Sequence, residues 1–83
     1  MPDPSNPGRP HPWTTVLDGG QLRRLRRQHA LSQEKLADQA GISAATVARL
    51  ERQPAAPCRC RTLARLAAAL GEEPGRLTPA SSP

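Results

Sequence analysis

Apolar residues recur along this chain at helical spacing, in short runs closed by glycine or proline. Leu22, Leu25 and His29 fall at i, i+3 and i+7, which predicts a first helix. Asp18 and Gln21 form a D-x-x-Q pair at its start, the pattern of a capping box. Leu36, Ala37 and Ala40 share one face of a second helix, about Gln33–Ala40. Val47 and Leu50 share a face of a third, about Ala44–Arg52, and Ile42 fills the corner between the two. Ser32 and Ser43 each precede a helical run, where a hydroxyl can accept from free backbone N–H groups. Between them Gly41 supplies a left-handed turn without a Cβ penalty.

Pro54 and Pro57 forbid helix and mark a loop, Gln53–Arg59. A fourth helix is expected from about Arg61 to Leu70, with Leu63, Leu66, Ala67 and Leu70 on one stripe and Gly71 ending it. Pro74 suits the first turn of a short fifth helix ending near Leu77. No strand pattern and no internal repeat is visible, so the expected fold is an all-α domain of five short helices. That domain spans residues 18–78. Residues 1–17, with five prolines and a glycine crowded into the first fifteen, read as a flexible arm, and residues 79–83 as a disordered tail.

With 83 residues the chain is one small domain, and its net charge of +5 favours a polyanionic partner. Eleven of its twelve basic residues are Arg, which suits phosphate and guanine recognition but equally reflects the bias of a GC-rich genome. Trp13 is the sole aromatic, so the core must be built from Leu, Ala, Val and Ile, with modest stability. No apolar run is long enough to span a membrane, and none near the start reads as a secretion signal, so the expected location is the cytoplasm.

Two short helices around a tight glycine turn make the helix-turn-helix layout, whose second helix can lie in a DNA major groove. The text LRRLRRQHALSQEKLADQAGISAATVARLER, followed by TLARLAAALG, resembles the lambda-repressor/Cro-like helix-turn-helix (Xre) family over about Asp18–Leu77. The resemblance implies a compact five-helix domain that binds double-stranded DNA with its third helix in the major groove.

Further roles follow from the resemblance, residue by residue. Gln33 matches a glutamine that contacts a DNA phosphate and braces the recognition helix. Ser43, Ala44, Ala45, Thr46 and Arg49 match groove-facing positions, with Arg49 reading guanine and Ala44 and Ala45 offering only methyl groups to bases. Ser43 and Thr46, with Arg52, Arg59 and Arg61, are the expected contacts to the DNA backbone. Arg26 and Glu51 match a structural ion pair tying the first helix to the third. Gln53 departs from the pattern, standing where the family usually has glycine. Family members usually bind as dimers, with contacts expected around Leu70, Pro74 and Leu77. The dimer is expected to be weak or to assemble on DNA.

Cys58 and Cys60 lie in PCRCRT, and for Cys60 the flanking Arg59 and Arg61 and the start of the fourth helix would lower the thiol pKa. A redox switch is one reading, and two small filler residues the other. Two Cys with distant His11 and His29 are too few for a zinc site, so neither a metal nor a cofactor is expected. His29 reads as a boundary packing residue, Trp13 as an anchor over the first helix, and Arg9 as a charge the arm can bring to a DNA groove. The solvated face of the first helix holds Arg23, Arg24 and Arg27. No nucleophile, base and acid form a plausible triad, so enzyme chemistry is not expected. The leading expectation is a small transcriptional regulator. The alternative is a protein-binding module, an antitoxin that meets a toxin or an adaptor on the same fold, which the alanines at the groove positions favour.

Overall fold

The computed structural model describes residues 13–79. In chain order these form β1 (Thr14–Leu17), α1 (Gly19–Gln28), α2 (Gln33–Ala40), α3 (Ala44–Glu51), β2 (Ala56–Arg59) and α4 (Cys60–Leu70), then a single 3₁₀ turn at Pro74–Arg76.

The two sheet strands correct the all-α expectation. β1 pairs antiparallel with β2, Thr14 opposite Arg59 and Leu17 opposite Ala56. Thr14–Leu17 were expected in the flexible arm and Ala56–Arg59 in a loop; proline-rich surroundings hid both. Thr-Thr-Val is a good strand sequence. Leu17 and Ala56, facing each other across the pair, are both fully buried, so the core anchors the register. Pro57 is tolerated because a two-stranded sheet has only edge strands. The remainder of the predicted arm, including Arg9 and His11, and residues 80–83 of the tail lie outside the described residues.

The central helices start and stop where their capping residues predict. Ser32 accepts from the Lys35 amide (3.0 Å) and Ser43 from the Thr46 amide (3.1 Å). Gly41 and Gly71 end α2 and α4 in the left-handed conformation, φ 71° and 66°. Asp18 caps α1 by accepting from the Gln21 amide, but only half of the expected capping box forms. The Asp18 N–H donates instead to the Leu77 carbonyl (2.7 Å), which ties the start of α1 to the end of the domain.

The five-helix count is corrected too. Pro74 and Gly75 are poor helix formers, and the chain makes one 3₁₀ turn before Leu77. Leu70 and Leu77, expected to offer a dimer surface, are 1% and 0% exposed. They complete the core with Leu17, Leu22, Leu25, Leu36, Val47, Leu50 and Leu66, so their apolar area is spent within one chain. His29, expected to pack at the boundary, is exposed and caps α1, which has already ended at Gln28.

Two backbone positions carry constraints that hydrophobic periodicity does not reveal. Gly19, the first residue of α1, is buried against the end of α3, and its N–H donates to the Gln53 carbonyl (3.0 Å). A Cβ there would collide with the carbonyl oxygens of Leu50 and Gln53. The positive end of one helix thus docks directly on the negative end of another. Ala30 sits in the left-handed region (φ 55°) between α1 and α2, a conformation unfavourable for a residue with a Cβ.

Opposite outcomes are expected at these two sites. Gly19→Ala should destabilise the domain by about 2–3 kcal/mol, because α1 must back away from α3. Ala30→Gly should stabilise it by about 0.5 kcal/mol, relief of left-handed strain outweighing the added freedom of the unfolded chain. Urea unfolding at neutral pH reads both; an unchanged midpoint for Gly19→Ala would contradict the docked geometry.

Candidate nucleic-acid interface

The outward side of α3 carries Ala45 and Arg49, with Ser43 just before it and Arg52 just after it, all exposed. Thr46 is half-buried, and its hydroxyl lies 2.8 Å from that of Ser43, so two hydroxyls sit together at the start of the helix. Ala44 is not fully outward: it is half-buried and packs against the core. The charge of Arg49 acts on the Cys58 thiol of β2, which packs against α3. Arg59 precedes α4, and Arg61 lies in its first turn; both are exposed. Arg49 on α3, Arg52 just after it, Arg59 at the end of β2 and Arg61 in the first turn of α4 are each exposed, and α3 packs against β2.

Glu51, the acid on α3, is withdrawn from this surface. Its carboxylate accepts from Arg26 twice, Nε to Oε2 at 2.6 Å and Nη2 to Oε1 at 3.0 Å. Gln33 Nε2 donates to the same Oε1 at 3.1 Å, and Arg26 Nη1 donates to the Leu31 carbonyl at 2.8 Å. Four chain segments therefore meet: α1, the α1–α2 connection, the first residue of α2 and the last of α3. The side chains of Arg26 and Glu51 are 12% and 4% exposed. A bidentate pair at that burial has its remaining polar atoms satisfied, which a buried charge requires. Burial alone pushes the Glu51 carboxyl up, but hydrogen bonds from Arg26 and Gln33, with the charges of Arg26 and Arg23, hold it below the ordinary glutamate value. The hydrogen bond to Glu51 holds the Arg26 guanidinium above its ordinary value, against the desolvation of burial.

Gln33 is thus placed as a brace on the end of α3. An amide nitrogen carries two hydrogens, so one remains for a group approaching from outside. A notch of about 280 Å³ opens beside it, lined by Arg23, Arg26, Gln33, Ala48, Glu51 and Arg52. Arg23, Arg24 and Arg27 are all exposed on α1.

Cys58 is half-buried on β2. Burial pushes this thiol up and the neighbouring Cys60 thiol adds to that, outweighing Arg49 and a hydrogen bond from the Leu63 amide. Arg59, which precedes α4, makes no side-chain cap on it.

Among the described residues no three His, Cys, Asp or Glu side chains gather where they could hold a metal ion, and no helix is long and apolar enough to cross a membrane.

Residues 21–78 match the profile of the Cro/C1-type HTH DNA-binding domain. No curated protein matches the chain. Among solved structures, the restriction-modification controller protein C.AhdI from Aeromonas hydrophila is similar at 35% identity, covering 70% of this chain and 86% of that one, with a TM-score of 0.63.

The ion pair is expected to act structurally, with a defined pH signature. Arg26→Ala should cost about 3 kcal/mol by stranding the Glu51 charge, while the double change Arg26→Met with Glu51→Met should cost less. Because the folded pKa of Glu51 is depressed, its contribution is fully present above the unfolded value of about 4.3 and is lost as pH falls through the folded value. The stability gap between the native chain and Glu51→Gln, measured by urea unfolding, should therefore narrow below about pH 4. A gap that holds constant down to pH 2 would contradict the assignment.

Proposed function

The chain belongs to the Cro/C1-type helix-turn-helix DNA-binding family, and from that premise we propose that it is a small transcriptional regulator reading double-stranded DNA sequence-specifically through α3. The observation that carries this reading is the run of exposed Arg49, Arg52, Arg59 and Arg61, together with removal of the α3 carboxylate into the Arg26 pair. A helix meant for a polyanion gains from having its one acid neutralised internally. The controller role of the similar C.AhdI protein supports regulation as the use of such binding.

In this reading α3 enters the major groove. Arg49 donates both arms of its guanidinium to O6 and N7 of a guanine. Ala45 sets its methyl against a thymine methyl, and Ala44, turned partly inward, brings the helix backbone close to the base edges. Ser43 and Thr46 donate hydroxyls to one phosphate. Gln33 uses its second amide hydrogen, Arg52 the end of α3, and Arg59 and Arg61 the start of α4 to hold other phosphates, which set position without reading sequence. With alanines at two groove positions, Arg49 and the deformability of the duplex supply most of the selectivity. Two copies meet on a two-fold site. The burial of Leu70 and Leu77 supports assembly on DNA rather than a stable dimer in free solution.

Enrichment of random duplexes at physiological salt tests the reading. The native chain should return a two-fold motif, and Arg49→Ala should lose a guanine preference at one position per half-site, at a cost of about 1–3 kcal/mol. Arg59→Ala should weaken binding to all sequences alike and reduce the slope of log affinity against log salt by about 0.9. Sedimentation should show a monomer alone and two copies on the duplex. Recovery of no motif would sink the proposal.

A further inference from the structure

Outside the helix-turn-helix, a concavity of about 410 Å³ is lined by Trp13, Thr14, Arg59 and Arg61. Among the described residues only Trp13 and Val16 are large apolar side chains left exposed, at 66% and 39%. The indole is not on a loose end. The Trp13 carbonyl accepts from the Cys60 amide (2.8 Å), and Thr14 stands opposite Arg59 in the sheet, so β1 fixes the aromatic beside the first turn of α4. β2, which ends at Arg59, packs against α3.

We propose that Trp13, Thr14, Arg59 and Arg61 form a second DNA-backbone contact, which takes the phosphodiester strand flanking the segment read by α3. The two guanidiniums hold a phosphate, the Thr14 hydroxyl donates to it, and the indole packs its face on the adjacent deoxyribose. The chemistry of the lining selects this occupant: among the described residues, two cations and no acid for the phosphate, and one apolar ring, matched to a sugar, where a protein interface would need a wider apolar patch. This inference rests on the DNA-binding reading above and extends the footprint beyond the helix-turn-helix through β1, an element absent from that motif.

Trp13 is the sole aromatic of the chain, so its emission reports this site alone. Duplex of an enriched sequence, carrying a terminal fluorophore, is titrated with the full chain while label anisotropy and indole emission are followed together. The expected result is a change in Trp13 emission that tracks anisotropy. Trp13→Ala should weaken binding about threefold to thirtyfold, and Trp13→Phe should restore part of that loss, a range scaled from aromatic contacts to nucleic acid. Circular dichroism confirms that both variants fold. Backbone cleavage by hydroxyl radicals should lose protection at the flank of the site in Trp13→Ala and keep it at the centre. Saturating anisotropy with unchanged emission, or Trp13→Ala affinity within twofold of native, overturns the inference and leaves the helix-turn-helix reading intact. If anisotropy never rises with any duplex, the DNA-binding reading itself fails and this contact falls with it.

Discussion

The orientation of α3 depends on how its last turn is held. Two interactions of different kind converge there. From the polar side, Glu51 gathers Arg26 of α1 and Gln33 of α2 on one carboxylate. From the backbone side, the start of α1 abuts the Leu50 and Gln53 carbonyls through a glycine that leaves no room for a side chain. A short helix of eight residues has little stability of its own, so these anchors and the burial of Val47 and Leu50 decide where its outward face points.

That arrangement separates the packed side of a single helix from its exposed side. Inward positions carry the core, the terminal acid is consumed by the ion pair, and the outward positions are left to Ala45 and Arg49, with Arg52 just beyond the helix end. The same economy appears at the end of the chain. Leu77 fills the core and its carbonyl receives the Asp18 amide, so the residues nearest the described C-terminal end close the domain against β1 and α1. Among the described residues the large apolar side chains left exposed are Trp13, just before β1, and Val16 within it.

Much of the fold was legible because it rests on short-range rules. Leu36, Ala37 and Ala40 bury as their spacing requires, and Ser32, Ser43, Gly41 and Gly71 cap or end helices by contacts three to five residues away. The Arg26–Glu51 pair was legible through family resemblance, although 25 residues separate the partners. The role of Gly19 was not legible, because it is set by a contact with a segment that no local pattern names.

By itself, then, the sequence determined the helix-turn-helix: its capping chemistry, its apolar stripe and its left-handed glycine act within a few residues of one another. Only the tertiary structure decided the rest. Pairing Thr14–Leu17 with Ala56–Arg59 joins segments some forty positions apart, and burying Leu17 against Ala56 overrides the proline-rich composition around both. The same core claimed Leu70 and Leu77 for one chain rather than two. Hydrophobic spacing tells which side chains must leave water, but the partner they leave it for is set by the packing of the whole domain.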